Sequence, residues 1–102
     1  MARWNESMDG SPSRVQVNDP SESLNCGYIQ FQAGPTKEVG LNGTTIEHVL
    51  GLLIKRLEGF QQGAFANDWN EEAIYHMVSA VDALERRTYD RQARDVEGTN
   101  QV

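Results

Sequence analysis

The sequence predicts an α+β fold, in which a short N-terminal β-hairpin precedes a long antiparallel two-helix hairpin. One segment near residue 30 alternates apolar and polar residues, and two longer segments repeat apolar residues every three or four positions. A chain of 102 residues is near the lower size limit for one independently stable core. We therefore expect a homo-oligomer.

The first 25 residues are predicted to be a flexible or loosely docked arm. They are rich in Ser, Asn, Asp and Pro, and they show no periodicity beyond Val15 and Val17. Trp4 and Met8 offer anchors for a partner subunit, although chain ends are commonly disordered. Residues 26–102 are predicted to form a single domain that ends in a C-terminal tail.

The β-hairpin is predicted at about residues 27–42. Apolar residues alternate there with polar ones, as in strands that bury one face. These residues are Ile29, Phe31 and Ala33 in the first strand and Val39 and Leu41 in the second. Gly34-Pro35 supplies the reversal between them.

The first helix is predicted at about residues 44–62. Thr44 and Glu47 have the spacing of a capping box, and Gly59 and Gly63 mark the helix end. The apolar stripe consists of Ile46, Val49, Leu50, Leu53, Ile54, Leu57 and Phe60. Such a stripe is typical of a helix with one packed face.

The second helix is predicted at about residues 69–94, with Asp68 as its N-cap. Its inner stripe consists of Ile74, Met77, Val78, Val81, Leu84 and Thr88. Two amphipathic helices joined by a short loop form an antiparallel hairpin. Because this hairpin and one β-ribbon bury little, we expect the remaining apolar surface to pack against identical chains.

Composition excludes several classes of function. A net charge of -6 disfavours binding to DNA or RNA polymers. The lone Cys26 permits no internal disulfide, and no cluster has zinc-ligand spacing, so no metal or cofactor is expected. No apolar run is long enough for a membrane span, and we expect a cytoplasmic protein. No activated Ser or Cys nucleophile is indicated, and His48 and His76 are interpreted as surface or satisfied residues, so we expect no enzyme.

Four arginines lie near the end of the second helix. Arg86 and Arg94 alternate with aspartates at i,i+4 spacing and are explained by local ion pairs. Arg87 and Arg91 are i,i+4 to each other, an arrangement that a bound phosphate would stabilise through charge-assisted hydrogen bonds. Positive charge is also favourable at a helix C-terminus, so both interpretations stay open.

Two residues beside the interhelical loop are also ambiguous. Phe60 ends the stripe of the first helix, where it belongs either to the core or to a half-exposed surface that stacks on a base. Asn70, in the first turn of the second helix, either reads the edge of a purine or serves only the helix start.

Four ordered segments together resemble a known family. They are FQAGPTKEVGLNG, RLEGFQQGAFA, NEEAI and ALERRTYDRQARDVEGT, and they cover about residues 28–99. They resemble phage anti-defence nucleotide sponges of the Acb/Tad hairpin-domain class, and within it the Thoeris anti-defence type. The resemblance implies a non-enzymatic protein that sequesters glycocyclic ADP-ribose, and in some members CBASS cyclic di- or trinucleotides, in an infected bacterial cytoplasm. It also implies a dimer that assembles further into a hexamer, a trimer of dimers.

The resemblance assigns roles to particular residues. Phe60 matches the aromatic that stacks on the ADP-ribose signal, and Asn70 matches a polar contact in the same site. Arg87 and Arg91 match the arginines that hold cyclic-oligonucleotide phosphates. Asp95 replaces the usual glycine and is placed to pair with Arg91 if the helix continues. The alternative function is a small helical oligomeric protein-interaction module that inhibits a host protein.

Overall fold

A computed structural model describes residues 13–93. Within these residues the chain forms two compact units, residues 13–45 and residues 46–93. Predictions for residues 1–12, for Arg94 and Asp95 and for the C-terminal tail lie outside the described residues. The single domain predicted for residues 26–102 stays a prediction.

The first unit contains a two-stranded antiparallel sheet. Strand β1 is Arg14–Asn18 and strand β2 is Asn25–Gln30, with Val15 opposite Ile29. The pairing is irregular between Gln16 and Asn18. A β-hairpin that precedes helices, and with it the α+β class, is thereby confirmed.

The turn between the strands is organised by the carboxylate of Asp19. This carboxylate accepts hydrogen bonds from the Ser21 hydroxyl, from the Leu24 N–H at 2.5 Å and from the Ser21 N–H at 3.2 Å. These hydrogen bonds lower the pKa of Asp19 from 3.8 to about 2. The bond from the Ser21 hydroxyl contributes most, and the bond from the Leu24 N–H contributes next. Glu22 in this turn adopts a positive φ of 61°.

The predicted location of the hairpin, at about residues 27–42, was wrong. The partner of β2 is β1, which lies in the predicted flexible arm, and the one-turn helix α1, Thr36–Val39, occupies part of the predicted second strand. In this segment, backbone N–H and C=O groups form hydrogen bonds with side-chain amides, where the predicted hairpin would have paired them with a second strand. Asn42 exchanges two hydrogen bonds with the Ala33 backbone, and Gln32 Nε2 donates to the Gly40 carbonyl at 2.8 Å.

The segment that follows α1 returns to the end of β2. Phe31 and Thr44 form an isolated parallel bridge, in which the Gln32 N–H donates to the Thr44 carbonyl and the Thr44 N–H to the Gln30 carbonyl. A Cβ added to Gly43 would lie 2.4 Å from the carbonyl carbon and oxygen of Phe31. Only glycine therefore fits at position 43 without displacing backbone.

The second unit is a helical hairpin. Helix α2 is Ile46–Gln61 and helix α3 is Asp68–Ala93, and the two pack along each other. Helix α2 begins two residues after Thr44, the predicted capping residue, because the Thr44 backbone is engaged in the bridge to Phe31. Boundary differences of this size are common at helix ends.

Burial within the described residues is low. Only Ser13 and Pro35 are buried, and the apolar stripes of α2 and α3 are half-buried at best. Leu53 and Val78, both assigned to these stripes from the sequence, are 49% and 50% exposed. In this part of the chain no helix is both long enough and apolar enough to cross a membrane.

Candidate functional site

An open pocket lies at the loop that joins α2 to α3. Its volume is about 570 Å³. The lining residues are Phe60, Ala64, Phe65, Ala66, Asn67 and Asn70. The pocket thus combines two aromatic rings and two side-chain amides, a mixture of apolar walls and few polar groups that is typical of small-ligand sites.

The last residue of α2, Gln61, ties the loop to the start of α3. Its Oε1 accepts a hydrogen bond from the Asn67 N–H at 2.9 Å, and its Nε2 donates to the Asn67 carbonyl at 2.9 Å. Nε2 also donates to Glu71 Oε1 at 2.9 Å. The amide of Gln61 therefore pairs with the backbone of Asn67 much as a neighbouring strand would.

Asn67 caps the N-terminus of α3. Its Oδ1 accepts a hydrogen bond from the Asn70 N–H at 2.8 Å, which satisfies one of the free N–H groups of the first helical turn. The prediction that Asp68 is the N-cap was wrong by one residue, because Asp68 is already the first residue of the helix. Asn67 Nδ2 also donates to the Phe65 carbonyl at 3.0 Å, which shapes the loop from within.

Asn70 is half-buried and lines the pocket. Its Nδ2 donates to Gln61 Oε1 at 3.1 Å and to the Phe65 carbonyl at 3.2 Å. Both N–H groups of the side-chain amide are thereby used within the loop. Asn70 therefore organises the loop and also lines the pocket, whereas its contact with the edge of a purine stays a prediction.

Phe60 is half-buried and forms one wall of the pocket. The guanidinium carbon of Arg56 lies 4.7 Å from the centroid of its ring, within the range of a cation–π contact. The ring of Phe65 meets Phe60 edge to face, with the centroids 6.3 Å apart and the planes at 77°. The orientation of the Phe60 ring is thus fixed by one cation and one aromatic neighbour.

The structure brings Phe60 and Asn70 together in this pocket, whereas their ligand stays a prediction. Sequence reasoning missed Gln61, Asn67 and Phe65. The cap residue Asn67 left a recognisable signal, because Asn directly before an amphipathic segment is a favoured N-cap. The contact between Gln61 and Asn67 depends on how the loop closes, and no local pattern announces it.

Arg87 and Arg91 lie one helical turn apart near the end of α3. Arg87 is exposed and Arg91 is half-buried. Arg86 Nη1 donates to Asp82 Oδ2 at 2.8 Å, as the i,i+4 spacing predicted. Asn70 and Arg87 are 17 positions apart on one helix, which separates their backbones by about 25 Å along the axis. The arginine pair is therefore a second candidate site, distinct from the pocket.

Across residues 13–93 no group of three or more His, Cys, Asp or Glu side chains is arranged to hold an ion. His76 stacks edge to face on Tyr75, with the ring centroids 5.5 Å apart, and its Nε2 lies 3.8 Å from Glu72 Oε1. His76 thus lies beside an aromatic ring and a carboxylate of its own helix.

Comparison with known proteins tests the family resemblance that four sequence segments indicated. Residues 27–89 match the family described as "Acb2/Tad1, hairpin domain". The chain belongs to this family. The matched region contains β2 from Gly27 onward, α1, α2 and α3 as far as Tyr89, and so it includes the whole pocket and Arg87. Arg91 lies two residues beyond it.

A relative of this family member is named "Thoeris anti-defense 1" and comes from Bacillus phage SBSphiJ7. The two sequences are 36% identical over 92 residues, a match that covers 90% of this chain and 63% of the relative. The chain thus spans less than two thirds of the relative's length. The resemblance to the anti-defence hairpin class is confirmed by these two matches.

Proposed function

We propose that this protein binds and sequesters cyclic immune-signalling nucleotides, glycocyclic ADP-ribose above all, and so blocks host antiphage defence. The observation that carries the proposal is the pocket that Phe60 and Asn70 both line. Membership of the hairpin-domain family and the name of the phage relative support it. The setting for this activity is the cytoplasm of an infected bacterium.

In the proposed complex, the base of the nucleotide stacks on the Phe60 ring, and Asn70 contacts its edge. Stacking of a base on an aromatic side chain contributes about 1–3 kcal/mol. Nanomolar affinity requires about 12 kcal/mol, so an open pocket on one chain is insufficient. Phe65 and Trp69 beside the loop are 73% and 78% exposed, which favours closure of the site by a second copy of the chain.

A dimer with closed sites is therefore the proposed functional unit, and a hexamer built as a trimer of dimers is the proposed assembly. Sequestration needs affinity without turnover, so we propose a non-catalytic role. The paired side-chain amides and aromatic rings of the pocket suit this role, because none of them is a nucleophile or a general base at neutral pH.

For cyclic oligonucleotides of CBASS systems, we propose a second site at Arg87 and Arg91. Guanidinium groups one turn apart offer several N–H donors to a phosphate, and each such hydrogen bond is charge-assisted. Because this site lies about 25 Å along α3 from the pocket, the two classes of ligand are expected to bind independently.

The test of sequestration is recovery of the ligand. The protein is mixed with glycocyclic ADP-ribose, the free nucleotide is removed by filtration, and the retained protein is denatured by heat. We expect intact glycocyclic ADP-ribose to be released in stoichiometric amount, as identified by mass spectrometry. Release of a hydrolysed product would overturn the non-catalytic role, and absence of any retained nucleotide would overturn the proposed ligand.

Substitutions assign the two sites and control for each other. Phe60→Ala and Asn70→Ala should each weaken glycocyclic ADP-ribose binding at least tenfold, as measured by isothermal titration calorimetry, because stacking or an edge contact is lost. They should leave cyclic-oligonucleotide binding intact.

Arg87→Ala and Arg91→Ala should have the opposite pattern, because they remove donors to phosphate and leave the residues that line the pocket unchanged. Arg86→Ala is a matched control, since Arg86 is paired with Asp82. Loss of both ligands in one variant would indicate failed assembly rather than a lost contact, which size-exclusion chromatography would reveal.

A second candidate function is a small helical oligomeric module that inhibits a host protein by direct contact. The observation that favours it is the exposure of large aromatic side chains on α3, such as Trp69 and Tyr89. Calorimetry against a panel of cyclic nucleotides separates the candidates. No heat with any nucleotide would leave the interaction module as the function.

A further inference from the structure

Asn42 and Gly43, in the segment that returns from α1 to the end of β2, form a pair with its own covalent chemistry. Of the asparagines in the sequence, only Asn42 is followed directly by glycine. In an open chain an Asn-Gly pair deamidates spontaneously, because glycine has no side chain to keep the carboxamide away from the next backbone nitrogen. Asn42 is exposed, so water reaches it. Whether the reaction occurs therefore depends on geometry and not on burial.

The reaction consumes water and releases ammonia. The backbone nitrogen of Gly43 loses its proton to hydroxide and attacks Cγ of Asn42. The bond between Cγ and Nδ2 then breaks, and Nδ2 leaves as ammonia after taking a proton from water, so that a cyclic succinimide remains. A second water opens the ring at either carbonyl and leaves aspartate or isoaspartate at position 42. The reaction requires no bound nucleotide.

In the folded loop the carboxamide of Asn42 is held at both ends. Its Oδ1 accepts a hydrogen bond from the Ala33 N–H at 2.8 Å, and its Nδ2 donates to the Ala33 carbonyl at 2.7 Å. The Asn42 N–H in turn donates to Gln32 Oε1 at 3.0 Å. Because both ends of the carboxamide are bonded to the backbone of a residue nine positions away, Cγ cannot turn toward the Gly43 nitrogen until these bonds break.

The backbone of Gly43, which supplies the attacking nitrogen, is restrained as well. Gly43 is half-buried, and a Cβ added there would collide with the backbone of Phe31 and Gln32. The next residue is bonded on both sides, since the Thr44 N–H donates to the Gln30 carbonyl at 2.8 Å and the Thr44 carbonyl accepts from the Gln32 N–H at 3.0 Å. The freedom that glycine has in an open chain is therefore absent at this position.

We propose that Asn42 is a deamidation site that the folded loop keeps closed, so that the reaction occurs only in molecules whose bonds to Ala33 and Gln32 have opened. The change cannot be reversed by refolding. Aspartate has no Nδ2 to donate, and its carboxylate would face the Ala33 carbonyl as a second acceptor. Isoaspartate adds a methylene to the backbone directly before the bridge at Thr44. A molecule that reacts while open therefore cannot close the loop as before.

The experiment compares the reaction in the folded and the unfolded chain. The full chain is incubated at mildly basic pH with and without concentrated urea, and peptide mass spectrometry follows the gain of about 1 Da at Asn42. We expect deamidation to be at least about tenfold slower in the folded protein, because the loop must open first. Equal rates in the two samples would overturn the proposal.

Hydrogen exchange at the Ala33 amide measures the same opening without any substitution. This N–H is bonded to Asn42 Oδ1, so it exchanges only when the loop lets the carboxamide go. Its protection factor and the slowing of deamidation should agree within about threefold, because both report one opening equilibrium. A much smaller slowing would mean that the closed loop permits the attack, and a much larger one that a different opening controls it. Either result would overturn the proposal.

Two variants test the contribution of Gln32. Gln32→Met removes the acceptor for the Asn42 N–H and the donor to the Gly40 carbonyl, so deamidation of the folded protein should accelerate about tenfold while the rate in urea is unchanged. Gln16→Met is the matched control, because the exposed Gln16 amide donates to Asn18 Oδ1, and the rate should stay that of the unaltered protein. Equal rates in the two folded variants would overturn the role of the loop.

Asn42→Asp supplies the aspartate product directly. Hydrogen exchange at the Ala33 amide should accelerate about tenfold or more in this variant, because a carboxylate offers no donor to the Ala33 carbonyl. Exchange as slow as in the unaltered protein would show that the loop closes normally after deamidation and would overturn the proposed loss of closure. This result is independent of whether Gln32→Met folds.

Discussion

Side-chain amides close the loops of this protein. Gln32 and Asn42 bond to the backbone around α1, and Gln61 and Asn67 do so between α2 and α3. An amide side chain donates and accepts at once, and so it can pair with a peptide group without a second strand. Because these groups are uncharged, the loops they hold should keep their geometry across physiological pH and ionic strength.

Asp19 is the exception, since its turn depends on a charge. Its folded-state pKa of about 2 is below the ordinary 3.8, so the ionised carboxylate stabilises the turn fully above about pH 4. That stabilisation is lost as the pH falls from about 4 to about 2. We expect cross-strand nuclear Overhauser effects between Val15 and Ile29 to weaken over this range.

Chemical shifts of the Ser21 and Leu24 amides measure the same titration directly. Their midpoint should lie near pH 2 in the unaltered protein and should move toward 3.8 in Ser21→Ala, which removes the largest cause of the lowered pKa. Ser23→Ala should move it less, because the contribution of Ser23 is a backbone hydrogen bond and is the smallest. An unchanged midpoint in Ser21→Ala would contradict this account of the turn.

The bridge between Phe31 and Thr44 depends on the glycine beside it. We expect Gly43→Ala to separate the two backbones, because the new Cβ would lie 2.4 Å from the Phe31 carbonyl group. Hydrogen exchange at the Gln32 and Thr44 amides, which form the bridge, should accelerate about tenfold or more.

Gly59→Ala provides the control for this substitution. Gly59 lies in α2, and a Cβ added there would point into open space, so the substitution should leave exchange at the bridge unchanged. It should also stabilise the helix by up to about 1 kcal/mol, because alanine loses less backbone entropy than glycine. Unaltered exchange at Thr44 in Gly43→Ala would show that the bridge is not as tight as its geometry indicates.

The helices could be predicted from the sequence, whereas the strand pairing could not. Helical periodicity is a local signal that repeats over many residues, and α2 and α3 lie within two residues of the ends predicted for them wherever the structure describes those ends. Strand pairing depends on which of several separate segments lies beside a strand, and no local pattern specifies that partner. The alternation at Val15 and Val17 is as short as the one near Val39, so the sequence did not show which of these two segments pairs with β2.

The candidate site was predictable in part for the same reason. Helix ends have recognisable residues, and the resemblance supplied Phe60 and Asn70, which share one pocket. Gln61 gave no signal, because its role arises only when the loop brings Asn67 back to the end of α2. Local patterns thus predict which elements form, while side-chain closure of loops depends on the assembled chain.

As a whole, the described part of the chain lacks the buried apolar interior expected of a stable monomer. We therefore expect the melting temperature to rise by roughly 5 °C for each tenfold increase in protein concentration, because folding is then coupled to association. Circular dichroism over a wide concentration range checks this expectation. A melting temperature independent of concentration, together with a mass of 11.4 kDa by light scattering, would contradict it.

A pair of adjacent substitutions identifies the helix face involved. Val78→Glu places a charge on a half-exposed apolar position of α3 and should shift the assembly toward monomer. Ser79→Glu, at an exposed polar position one residue later, should not. Equal effects of the two substitutions would mean that this face of α3 is not an interface.

The scarcity of buried side chains also bears on how such a sequence can evolve. Because few side chains are buried, most substitutions do not disturb packing within the protomer. The sequence can therefore change extensively while the backbone fold stays the same. The 36% identity to a phage relative is in keeping with that freedom. Drift should be slowest at the few amides that hold the loops, because each of them satisfies several partners at once.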